Sequence, residues 1–117
     1  MDRIYRIRRV LSDQGCPLMV EQVALPAALF PDLLKSESTV NNTAALARDY
    51  GVLLGRAEEM VSIGEADSML AKSLNVKIGT PVLVLDRVTR DLLARPIEWR
   101  LGHCHLNGSY SYVSQVT

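Results

Sequence analysis

Apolar and polar positions along the chain fall into short alternating runs broken by Gly, Pro and Ser/Thr/Asn clusters. Residues 3–11 (Arg-Ile-Tyr-Arg-Ile-Arg-Arg-Val-Leu) mix β-branched and aromatic residues with charge, the pattern of a strand. Residues 12–17 have loop composition, with Gly15 and Pro17 as breakers. An apolar run resumes over residues 18–25, so the two segments predict an antiparallel hairpin. Pro26 closes it, because proline has no N–H for the ladder. Residues 27–35 predict one or two short helical turns, interrupted at Pro31.

Residues 36–43 are rich in Ser, Thr and Asn, the preferred helix N-caps. The helix formers of residues 44–48 follow, and Gly51 is a natural stop. Residues 52–63 read as a strand. Over residues 65–74, Ala66, Met69, Leu70 and Leu74 share one helical face, with Glu65 and Asp67 near the positive end of the dipole. Asn75 and Gly79 punctuate; residues 82–85 are apolar on both faces and predict a central strand. A turn over 91–96, a strand over 97–106, an Asn107-Gly108 turn and a last strand over 110–116 complete the pattern. The expected fold is α+β, a mostly antiparallel sheet with two to three helices.

Composition narrows the class. A chain of 117 residues is expected to form one domain over residues 1–117. Hydrophobic residues are 48% and charged residues 22%, a globular composition. Thirteen Lys+Arg balance thirteen Asp+Glu, which argues against gripping nucleic acid by bulk charge. No apolar run approaches the ~20 residues of a membrane span. Cys16 and Cys104 are too few for a disulfide scaffold and suit a reducing cytosol, so a cytoplasmic location is expected.

The hairpin carries the most informative chemistry. Partners summing to about 30 place Arg9 opposite Glu21, flanked by Ile7–Val23 and Leu11–Met19. One guanidinium and one carboxylate then sit inside an apolar patch, either as a structural ion pair or as a pair kept to meet a polar ligand. The helix start near Ser38, Thr39, Asn41 and Thr43 is either plain capping or an anion site built from unpaired N–H groups. Along residues 97–101, Ile97, Trp99 and Leu101 face one side and Glu98 and Arg100 the other, with Trp99 expected in the core and the charged pair solvated or ligand-facing. Two histidines, His103 and His105, are too few for a zinc site, and motifs for hydrolases, metalloproteases or phosphate loops do not occur. No metal or cofactor is expected.

The order of motifs is similar to that of one known family. Pro17-Leu18-Met19-Val20-Glu21, Leu25-Pro26 with Phe30-Pro31-Asp32-Leu33, Asp49-Tyr50-Gly51-Val52 and Ala71 with Leu74-Asn75-Val76 follow one another. The run of residues 79–87, Arg95-Pro96-Ile97-Glu98-Trp99 and Tyr110-Ser111-Tyr112 complete the set. In this the chain resembles the effector-binding UTRA domain of GntR-type transcriptional regulators, the HutC branch. The resemblance implies a chorismate-lyase-like fold, a homodimer, no catalysis, and binding of a small, anionic metabolite. It implies ligand contacts at Arg9, Glu21, the Ser38–Thr43 segment and Glu98. Leu11 stands where the family often has a second arginine. Since no winged helix precedes Met1, operator DNA is expected to be reached only through a module outside this chain. A chorismate-lyase-like enzyme and a dimerisation module without ligand are the alternative readings.

Overall fold

The computed structural model describes residues 3–33, 42–107 and 111. Two strands, β1 (Ile4–Asp13) and β2 (Cys16–Pro26), form the hairpin; α1 (Thr43–Asp49) and β3 (Leu54–Glu65) follow. Helix α2 (Ser68–Leu74) then leads to β4 (Pro81–Asp91) and β5 (Pro96–Cys104). The five strands form one antiparallel sheet in the order β1-β2-β5-β4-β3. The N-terminal hairpin is thus added to a β3–β4–β5 meander along β5, which becomes the middle strand.

The hairpin register is the expected one, with Arg9 opposite Glu21, Ile7 opposite Val23 and Leu11 opposite Met19. The loop is shorter than its composition suggests. Only Gln14 and Gly15 lie outside the strands, both with positive φ (50° and 78°), the geometry of a two-residue hairpin turn. A bulge at Leu11/Ser12 accommodates Pro17 in β2. Residues 27–33 form consecutive single turns, closed by Phe30 N–H to Ala27 O and Leu33 N–H to Phe30 O at 3.2 Å each; residues 34–35 of the expected span lie outside the described residues. The strand expected over residues 110–116 lies outside the described residues, apart from Ser111.

Helix α1 starts at its Asn42 cap, whose side chain accepts the Ala45 N–H at 3.1 Å. Helix α2 starts three residues later than expected, because Asp67 caps it by accepting the Leu70 N–H at 2.9 Å. Asn75, left-handed at φ 57°, stops it. Its buried face is Leu70, Ala71 and Leu74, and Met69, expected on that face, is exposed.

The two helices cover opposite faces of the sheet. On one face α2 packs Leu70, Ala71 and Leu74 on Val20 and Val82. On the other, α1 and the turns place Leu46, Phe30 and Leu33 over Val23 and Leu25. Because neighbouring side chains alternate across a strand, β2 is buried on both sides. Trp99, expected in the core, is only half-buried, and its indole N–H donates to Asp86 at 2.6 Å.

The β4–β5 turn is organised by buried Asp91. One carboxylate oxygen accepts the Leu93 and Arg95 amides, both at 2.9 Å, and the other accepts Arg95 Nε at 2.8 Å. The start of β3 presses against it so closely that a Cβ on Gly55 would lie 2.2 Å from the Asp91 carbonyl oxygen. The Arg95 amide, ahead of its guanidinium and the Leu93 amide, holds the Asp91 carboxyl below its ordinary 3.8, against the opposing effect of desolvation. A depressed folded-state value adds stability above the unfolded-state value and loses it as pH falls through the folded one. Urea titrations from pH 6 downward are therefore expected to lose stability below about pH 4. Asp91→Asn should be less stable at pH 6 and show a shallower acid slope than the wild type.

Candidate functional site

On the α1 face, the hairpin register and the β2–β5 and β4–β5 ladders bring five charged side chains into one row. Arg9 comes from β1, Glu21 from β2, Glu98 and Arg100 from β5, and Arg87 from β4. Glu21 faces Gly102 on β5, and the missing side chain there leaves room for Met19, whose sulfur would lie 2.9 Å from an added Cβ. Arg100 faces Arg87 directly. Two like charges opposite each other repel, and Glu98 lies between them.

The charges alternate in sign along the row. Arg9 donates to Glu21 Oε1 through Nε at 2.8 Å and also through Nη2. Arg100 donates to the same oxygen through Nη1 at 3.1 Å. Its other edge grips Glu98 in a two-pronged pair, Nε to Oε1 at 2.8 Å and Nη2 to Oε2 at 3.1 Å. Thr43, the first residue of α1, donates its hydroxyl to Glu98 at 2.9 Å. That same hydroxyl accepts from Arg87 Nη2 at 3.1 Å. Glu98 and Arg100 are buried, with residue exposures of 3% and 5%, so the expectation of a solvated pair is corrected. Burial of both is tolerable because each has an oppositely charged partner and further hydrogen bonds.

Of the residues singled out from sequence, Arg9, Glu21, Thr43 and Glu98 are brought together here. Arg9 points inward, its side chain 19% exposed. Ser38, Thr39 and Asn41 lie outside the described residues. Sequence reasoning missed Arg87 as a site residue and left Arg100 either solvated or ligand-facing. The signal for Arg87 was present: a tight turn over 91–96 in an antiparallel meander sets it opposite Arg100.

Cys104 lies beyond Gly102 on the same face. Burial first, then the nearby Glu21 and Glu59 carboxylates, push its thiol above the ordinary 9.0, which keeps it protonated and unreactive at neutral pH. Among the described residues no cluster of His, Cys, Asp and Glu could hold a metal ion, and no helix is long and apolar enough to cross a membrane.

This arrangement of sheet, helices and strand order recurs in solved structures. The ligand-binding domain of a protein assigned to the GntR-family transcriptional regulators of Bordetella bronchiseptica is 28% identical, with a TM-score of 0.81 over 97% of this chain and 74% of that one. A transcriptional regulator from Streptomyces coelicolor is 26% identical, with a TM-score of 0.75 over 92% of this chain and 71% of that one. PhnF from Mycobacterium smegmatis shares the fold at 24% identity and a TM-score of 0.83; the match takes in 97% of this chain and 50% of PhnF. The sequence profile of the UTRA domain matches residues 1–107. The chain belongs to the UTRA domain family, and its α+β fold is that of the effector domains of GntR-family regulators.

The row gives a direct stability test. Arg100→Leu leaves Glu21 and Glu98 buried without their shared cation, and breaking such a buried pair costs about 3–5 kcal/mol. Urea denaturation of the variant at pH 7 should show a loss of that size. A change under about 1 kcal/mol would mean the row is effectively solvated, as exposed pairs are.

Proposed function

We propose that the chain is the effector-sensing domain of a bacterial transcriptional regulator, binding a small anionic metabolite in the cytoplasm and carrying no catalysis. The observation that carries the reading is the buried row itself. Its carboxylates hold three guanidiniums at fixed positions on the α1 face, and one of these, Arg87, keeps about a third of its side chain exposed, within reach of an anion. Membership of the UTRA family and likeness to GntR-family ligand-binding domains support the same reading. Binding would act on DNA through a separate winged-helix module, because a ligand that prefers one arrangement of a regulator shifts its population without chemistry. Glu21, Glu98 and Thr43 supply the acceptors and the hydroxyl for the polar remainder of the ligand. The family resemblance assigns Ser38, Thr39 and Asn41 to the same ligand site.

Thermal melts against a panel of sugar phosphates, amino acids and organic acids test this. A ligand at 100 times its Kd stabilises the folded state by about 2.7 kcal/mol, enough for a clear rise in Tm. A panel in which no compound moves the melt leaves the row as a purely structural device and removes the sensor reading.

The regulator reading also includes a homodimer. Strand β3 is a sheet edge exposed along nearly its whole length, with Met60 at 73%, Val61 at 51% and Ile63 at 72% exposure. A long apolar edge of this kind is an association surface unless covered, and a second copy pairing antiparallel covers it symmetrically. Light scattering is expected to give twice the chain mass, and Val61→Lys with Ile63→Lys to give the monomer. A wild-type monomer at high concentration removes the dimer from the reading.

A further inference from the structure

The three guanidiniums of the row are not equally occupied. Arg9 spends both Nε and Nη2 on Glu21, and its side chain is four-fifths buried. Arg100 spends Nε, Nη1 and Nη2 on Glu21 and Glu98. Arg87 differs. Its contacts all run through Nη2, to Thr43 at 3.1 Å and to Glu98 at a loose 3.5 Å. Its Nε is buried with no hydrogen-bond partner. Its side chain is nonetheless 35% exposed, so a small molecule can reach the guanidinium.

A buried donor left without an acceptor is costly, and a guanidinium is built to hold a planar or tetrahedral oxyanion through two N–H groups at once. The two carboxylates of the row are already engaged: Glu98 is gripped by Arg100 and Thr43, and Glu21 by Arg9 and Arg100. Glu59 stands opposite Arg87 in the β3–β4 ladder and is exposed. The missing acceptor must therefore come from outside the row.

We propose that Arg87 on β4, not Arg9 on the hairpin, is the anchor for the effector's anionic group, a carboxylate or phosphate. This inference rests on the sensor reading above. Arg9 then acts as a positioning residue, holding Glu21 in place for Arg100. An oxyanion on Arg87 meets the exposed part of the guanidinium beside the Thr43 hydroxyl at the start of α1, and takes the buried, unpaired Nε as its second donor when the side chain turns toward it.

Inorganic phosphate and acetate are suitable probes, read by NMR of the arginine Nε–H signals in the 15N-labelled chain. The Arg87 signal is assigned by its disappearance in Arg87→Lys, and the Arg9 signal by Arg9→Lys. The expected result is a saturable shift of the Arg87 signal with one of the two probes and a smaller one at Arg9. Arg87→Gln should weaken that binding about ten- to a hundredfold, the loss of one charge-assisted contact. Arg87→Lys, which keeps the charge but not the planar fork, should fall between. A saturable shift at Arg9 with none at Arg87 overturns the inference, as does a silent Arg87 with both probes, and the wild-type spectra decide this even if a variant folds poorly. The two readings fail separately. Metabolites that raise the Tm while leaving Arg87 unmoved sink the anchor and keep the sensor, whereas a panel with no effect on Tm sinks the sensor itself.

Discussion

The α1 face of this sheet is organised by two carboxylates that each serve two cations. Glu21 takes Arg9 and Arg100 on one oxygen, and Glu98 takes Arg100 and Arg87 while accepting from Thr43. Remove either and two guanidiniums lose their common neutraliser at once. A buried array of this kind has no advantage in stability over well-packed apolar side chains of equal volume. Apolar neighbours are at hand, since Val23 and Leu25 lie on the same face of β2 and pack with Leu46 and Phe30. The row therefore makes little sense as a device for folding alone. Its sense lies in holding polar groups at fixed positions beneath a helix.

Fixed positions need a rigid frame, and β2 and β5 provide it. Both are interior strands, so their backbones are paired along both edges. The helices cover β2 at opposite ends and on opposite faces, Val20 under α2 and Val23 and Leu25 under α1. Glu21 sits between these two clamps. A slip of one residue in the β1–β2 register would turn every side chain of the hairpin to the other face, exposing Val23 and burying the wrong charges. Packing on both sides makes that slip expensive, and the geometry of the charge row inherits the resulting precision.

What could be seen in the sequence divides along the same line. The hairpin pairing was legible because its evidence is local: Ile7, Leu11, Met19 and Val23 bracket Arg9 and Glu21 within 17 residues of chain, and only one register puts all the apolar side chains together. The helix caps were legible in kind but not in place. Asp67 stands in the sequence as a charge near the first turn, yet it is the cap, and the face that packs is Leu70, Ala71 and Leu74, with Met69 exposed. Arg100 and Trp99 were misjudged for a different reason. The alternation of residues 97–101 separates two faces but does not say which is covered. That depends on β5 pairing with β2 across some 80 residues and on where α1 lands, neither of which leaves a local trace. Arg87 was hidden behind the same long-range pairing, although the β4–β5 turn alone would have aligned it with Arg100.

The connection between the row and α1 follows from the chemistry of one hydroxyl. Thr43 has a single proton to donate, and it points to Glu98; its lone pairs then face Arg87. The orientation of the first turn of α1 is thus tied to both ends of an ion pair whose N–O separation is a loose 3.5 Å. A helix of seven residues has little hydrogen bonding of its own to resist a change at that tether. Its hold on the sheet comes chiefly from Leu46 and Ala47, which are buried a turn further along. Thr43 therefore ties the first turn of α1 directly to the Arg87–Glu98 pair.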